Sequence, residues 1–170
     1  MPAWTLRPAT GDDAALLLRV YAATRERELA LAGWDAARQD AFVRMQSGAQ
    51  DRHFRQQFPA AQHAIVQLGD VDVGRWVVDR GDHALCLVDI ALLPEHRGRG
   101  LGGALIGALQ DEAAAASQPV TLHVAVDNPA AALYRRLGFV AIEDRGMHTL
   151  MRWLPDAAAT PRRPSLPPLP

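Results

Sequence analysis

The chain has 170 residues, 49% of them apolar and 22% charged, and a formal net charge of −1. That length holds one domain with a substantial core. The near-neutral balance excludes the basic excess that marks nucleic-acid-binding domains. Every basic side chain is arginine, and the one cysteine, Cys86, excludes an internal disulfide and sits in an apolar run as a small hydrophobe does. No apolar stretch is long enough to span a bilayer, and Met1–Arg7 lacks the apolar core of a secretion signal, so no membrane association and a cytoplasmic location are the default expectations.

Trp4 to Arg7 reads as a short first strand, followed by Thr10-Gly11-Asp12-Asp13, where Thr10 or Asp12 can cap a helix. Leu16, Leu17, Val20, Tyr21 and Thr24 follow at helical spacing, which carries that helix to about Leu29 before Gly33 breaks it. Asp35 caps a second helix that Pro59 ends just after Phe58. The rhythm then changes to alternation. His63–Leu68 and Val71–Val78 form a hairpin about Gly69-Asp70, and Ala84–Leu93 is an apolar run with one charge, the pattern of a central strand. Leu101–Ala116 is a helix, Val120–Val126 a strand, and Asn128-Pro129 opens a short helix that Gly138 ends. Two last strands fall near Phe139–Ile142 and Met147–Trp153. The order predicts an α/β fold with a mixed sheet covered by about four helices. Residues 1–154 read as one domain, and Pro155 onward as an unpacked Pro-rich tail.

The chemistry concentrates in Pro94-Glu95-His96-Arg97-Gly98-Arg99-Gly100-Leu101-Gly102. Alternating glycines after a strand leave backbone N–H groups bare, and the same stretch opens a helix whose first N–H groups and dipole favour an anion. Arg97 and Arg99 add guanidinium groups suited to phosphate oxygens, so the loop suits a pyrophosphate. It lacks the Lys-Ser/Thr ending of a P-loop and the glycine spacing of a dinucleotide fingerprint. A flexible loop with helix-capping glycines is the plainer alternative.

Arg97-x-x-Gly100-x-Gly102 after a strand and Pro94 resembles the coenzyme A signature of the GNAT acetyltransferase superfamily, and Asn128 followed by Leu133-Tyr134 and Leu137-Gly138-Phe139 resembles its second signature. The resemblance runs from about Trp4 to Trp153. It implies a central, mostly antiparallel sheet of about seven strands, splayed between the fourth and fifth, and acetyl-CoA as co-substrate without a metal. Backbone groups of Ile90, Ala91 and Leu92 would pair with the pantetheine arm. Arg97, Gly98, Arg99, Gly100, Leu101 and Gly102 would hold the pyrophosphate. Asn128 would bond the pantetheine or cap the following helix, and Tyr134 would act as the general acid for departing sulfur, the alternative being a packed amphipathic tyrosine.

The resemblance fails at one place. Some family members carry a glutamate in the fourth strand as base, and here that place holds Cys86. Asp89 is the local candidate for a base, or else it pairs with a buried arginine or backbone donors. Glu26 and Glu28, beside Arg25, and His148 are candidates for the acceptor side, or are a solvated helix end and an exposed strand histidine. His83 and His123 show no metal-ligand spacing. The reading is an N-acetyltransferase that moves acetyl to a small amine or a peptide N-terminus by direct attack, with homodimers common in the superfamily. The alternatives are a non-catalytic acyl-CoA-binding module of the same fold and a nucleotide-binding enzyme.

Overall fold

The computed structural model describes residues 3–155. The tail expected from Pro155 onward lies, beyond Pro155 itself, outside the described residues. Seven strands, β1 (Trp4–Pro8), β2 (Gln62–Leu68), β3 (Val71–Arg80), β4 (Leu85–Leu92), β5 (Val120–Ala125), β6 (Val140–Asp144) and β7 (His148–Trp153), form one sheet in the order β1-β2-β3-β4-β5-β7-β6. The helices are α1 (Ala14–Thr24), α2 (Glu26–Ala32), α3 (Ala36–Gln57), α4 (Leu101–Ala115) and α5 (Ala130–Arg136), with 3-10 turns at Gly11–Asp13 and Pro94–His96. The residues fall into two compact units, 3–77 with 89–97 and 78–88 with 98–155.

In the first unit β1 lies antiparallel to β2, Leu6 opposite Val66, and α1 packs on α3. Val20, Tyr21, Val43, Ile65, Val66, Val73 and Trp76 are buried in this unit. Apolar side chains on the strands and on faces of α1 and α3 are buried because that removes them from water. Asp35 caps α3 as expected, its carboxylate accepting from the Arg38 N–H at 2.8 Å. At the N-terminal turn Thr10, one of the two expected residues, is the N-cap, and its capping box is closed by the Asp13 carboxylate. That carboxylate accepts from the Thr10 N–H at 2.7 Å and is clasped by Arg7 at 2.6 and 2.9 Å. Arg7 also reaches Asp72 at 2.6 Å, which ties β1 to β3.

The single helix expected to reach about Leu29 is two helices, broken at Arg25. The Thr24 hydroxyl donates to the Tyr21 carbonyl at 2.6 Å, and the Arg25 N–H turns back to Ala22 instead of Tyr21. A threonine hydroxyl competing for a helix carbonyl is the local device that stops the ladder. This break makes five helices among the described residues where about four were expected.

Gly74 on β3 explains how β4 ends. A Cβ placed there would stand 2.5 Å from the Ala91 carbonyl oxygen, closer than real contacts come, and 3.2 Å from the Leu92 Cα, tighter than most. Glycine lets the two backbones approach, and the Leu93 N–H then reaches the Val73 carbonyl at 2.9 Å.

In the second unit β4 and β5 run parallel, with Leu85 opposite Val120 and Leu87 opposite Leu122. β5 pairs antiparallel with β7 from Val120–Trp153 to Ala125–His148, and β7 with β6, which carries a bulge between Ala141 and Glu143. Leu105, Ile106 and Leu109 of α4 lie fully buried, as do Val120, Leu122, Phe139 and Met151. The helix α4 packs on β5, and Gln110 donates to the Leu137 carbonyl at 2.7 Å where α5 ends. No helix among the described residues is long and apolar enough to cross a membrane.

Candidate functional site

The candidate residues of the first unit gather at the end of β4. Ala91 and Leu92 are buried, and Ala91 and Leu93 pack with Val20 and Leu16 of α1. Arg97, expected to meet phosphate, donates its Nε hydrogen to the Leu92 carbonyl at 2.7 Å and an Nη2 hydrogen to the Ala23 carbonyl at 3.2 Å. The Leu92 carbonyl therefore already accepts one hydrogen bond.

Asp89 accepts from Arg75 Nε at 2.8 Å, and Arg75 Nη2 reaches the Gln50 side chain at 2.9 Å. Phe54 of α3 lies under the guanidinium, 6.0 Å from ring centroid to the Arg75 carbon. A charge in a low-dielectric interior is tolerated only when paired and hydrogen-bonded, and both conditions hold here. Of the two readings open for Asp89, the buried-arginine partner is present. Sequence reasoning did not name Arg75, although an arginine between Gly74 and Trp76 in an otherwise apolar strand carries the signal. His63 on β2 is half-buried in the same neighbourhood. Burial first, then the Arg55 charge, lowers its affinity for a proton.

Of the acceptor-side candidates, Glu28 takes the Arg25 guanidinium at 2.9 Å, and Arg25 Nε also donates to the Tyr21 hydroxyl at 3.2 Å. Glu26 is exposed at the start of α2.

In the second unit Gly98 and Gly100 take φ values of +71° and +83°, a region costly for any residue with a Cβ. Gly100 is the N-cap of α4, and no side chain caps that end. The first N–H groups of Leu101, Gly102 and Gly103 thus lack the usual side-chain acceptor, which is what an anion subsite needs. Arg99 is exposed, with no hydrogen bond or ion pair among the described residues.

Asn128 precedes Pro129, the N-cap of α5, and its Oδ1 accepts from the Ala130 N–H at 2.9 Å. Tyr134 is 7% exposed, with Phe139 set edge-on at 6.0 Å between ring centroids. The Phe139 N–H returns to the Tyr134 carbonyl at 3.0 Å, so Leu137-Gly138-Phe139 folds back onto the tyrosine. His148 is exposed at the start of β7, opposite Ala125. Cys86 is half-buried and burial pushes its thiol up, the reverse of what activates a nucleophile. Among the described residues no group of three or more His, Cys, Asp or Glu side chains is placed to hold a metal ion.

The described residues thus form a mixed seven-stranded sheet with one parallel pair, β4 and β5, and a glycine turn leads into α4. Residues 59–141 match the family model described as the acetyltransferase (GNAT) domain. Over that region the chain matches a GNAT acetyltransferase domain, and its fold is GNAT-like. Among solved structures it resembles PaiA N-acetyltransferase from Thermoplasma acidophilum in complex with coenzyme A, with TM-score 0.67, 14% identity, and 89% of this chain and 99% of that one covered. It also resembles an acetyltransferase from Thermus thermophilus, with TM-score 0.64, 25% identity, and coverage of 91% and 99%. A GCN5-related N-acetyltransferase from Rhodopseudomonas palustris gives TM-score 0.60 and 26% identity over 91% of this chain and 96% of that one. No curated protein matches the chain in sequence.

Proposed function

We propose that this chain, acting through residues 1–154 as one domain, transfers acetyl from acetyl-CoA to a primary amine. The observation that carries the reading is the uncapped N-terminus of α4 behind Gly98 and Gly100, inside the region that matches the GNAT family model. Backbone N–H groups from Gly98 to Gly102, with Arg99, hold the pyrophosphate. Main-chain groups of Ile90, Ala91 and Leu92 pair with the pantetheine amides as a strand edge would. Asn128 contributes its remaining amide hydrogens nearby.

The amine nitrogen attacks the thioester carbonyl, a C–N bond forms, and the C–S bond breaks as the tetrahedral intermediate collapses. Sulfur leaves as thiolate and takes the Tyr134 phenolic proton, while the nitrogen's proton passes to a base. Asp89 is the carboxylate of β4 assigned to that role, directly or through water, with Arg75 orienting it. Close positioning of the two substrates supplies much of the rate, with no covalent enzyme intermediate. Glu26, Glu28 and His148 are assigned to the acceptor side and suit a cationic small amine or a peptide N-terminus.

Calorimetric titration with coenzyme A, ATP and NAD separates this reading from a nucleotide-binding one: only coenzyme A binds. A panel of amines is then scored for thiol released from acetyl-CoA. Tyr134→Phe is expected to lower kcat by about 100-fold with coenzyme A affinity retained. Unchanged turnover would sink the acid assignment. Coenzyme A binding without thiol release from any amine would favour a non-catalytic acyl-CoA-binding module.

A further inference from the structure

The break at Arg25 leaves α1 with a final turn whose carbonyls need partners. Three of them find different ones. Tyr21 accepts from the Thr24 hydroxyl, Ala22 from the Arg25 N–H, and Ala23 from the guanidinium of Arg97, 74 residues further along the chain. Arg97 is thus a helix C-cap supplied from the far side of the sequence, and its positive charge suits the negative end of the α1 dipole. The same guanidinium holds the Leu92 carbonyl through Nε. One planar group therefore spans the end of α1 and the end of β4, beside the apolar contact of Val20 with Ala91 and Leu93.

We infer that Arg97 is a positioning residue that clamps the end of α1 to the end of β4, leaving Arg99 as the arginine that meets the pyrophosphate. Its ligand side rests on the coenzyme A reading; its structural side does not. Arg97 spends two donors on main-chain carbonyls, whereas Arg99 is exposed with no partner among the described residues. A lysine cannot replace Arg97, because one ammonium on a flexible stem does not reproduce a rigid fork bridging two acceptors.

The test compares Arg97→Ala, Arg97→Lys and Arg99→Ala in the full chain. Without ligand, amide hydrogen exchange over residues 24–32 is expected to rise at least about tenfold in both Arg97 variants and to stay at the parent level in Arg99→Ala. Arg97→Lys serves alone if Arg97→Ala does not fold. Coenzyme A is then titrated at low and high salt. Arg99→Ala is expected to weaken binding about tenfold or more and to flatten its salt dependence, while the Arg97 variants keep the parent salt dependence. Parent-level exchange in Arg97→Ala, full rescue by Arg97→Lys, or a flattened salt dependence in the Arg97 variants would each overturn the assignment. If the parent protein does not bind coenzyme A, the cofactor reading falls while the exchange data still judge the clamp.

Discussion

Arg75 donates its Nε hydrogen to Oδ2 of Asp89 across 2.8 Å, with the arginine side chain 9% and the aspartate 18% exposed. Removing one partner of such a pair leaves an uncompensated charge indoors, whereas replacing both with apolar groups is often neutral. Asp89→Asn is therefore expected to lower unfolding free energy by about 2–4 kcal/mol in denaturant titration. Arg75→Met with Asp89→Leu should recover most of that loss. If the double variant is stable yet releases no thiol from acetyl-CoA, Asp89 serves the chemistry as well as the fold. If it turns over at the parent rate, the base lies elsewhere.

Two glycines should respond in opposite directions. Gly74→Ala forces a methyl against the Ala91 carbonyl and the Leu92 Cα, and is expected to cost about 2 kcal/mol or more, with weaker coenzyme A binding. Gly107, inside α4, has nothing within 4 Å of an added Cβ. Gly107→Ala should stabilise by about 0.5–1 kcal/mol through helix propensity. Melting temperatures of the two variants check both signs.

The Asp13 carboxyl is held down to about 2, from an ordinary 3.8, chiefly by its hydrogen bonds from Arg7. A depressed carboxylate contributes stability that is complete above its unfolded pKa and is lost as pH falls through the folded value. Asp13→Asn should therefore destabilise the protein at neutral pH by about 1–2 kcal/mol and flatten the stability profile between about pH 4 and 2. Denaturation midpoints across that range read the difference.

His63 behaves with the same sign for a different reason. Burial and the Arg55 charge lower its pKa below 6.5, so the unfolded chain takes up the proton first as pH falls. The parent protein should lose stability on passing below about pH 6.5, and His63→Gln should lose less over the same interval. Equal slopes in the two proteins would mean that the imidazole does not sense this environment.

The local signals in the sequence carried well. The Asp35 cap, the strand rhythm after His63, the glycine turn into α4 and Asn128 at the head of α5 all depend on neighbours within a few residues. The features that escaped depend on partners far along the chain. The break at Arg25 is completed by Arg97, and the burial of Asp89 is permitted by Arg75 and Gln50. The need for glycine at position 74 exists only once β4 lies against it. Helical periodicity ran unbroken through Thr24, because a hydroxyl that bonds backwards leaves no mark on the hydrophobic pattern.

The outer strand β6 has its own consequence for the protein in concentrated solution. Val140 and Ile142 are exposed on a strand at the limit of the sheet, where a free row of backbone groups invites a foreign strand to join. The bulge between Ala141 and Glu143 interrupts that row, and Glu143, Asp144 and Arg145 place charge at its end. A flat, uninterrupted β6 would be a template for fibre growth; as built, it resists recruiting a stranger.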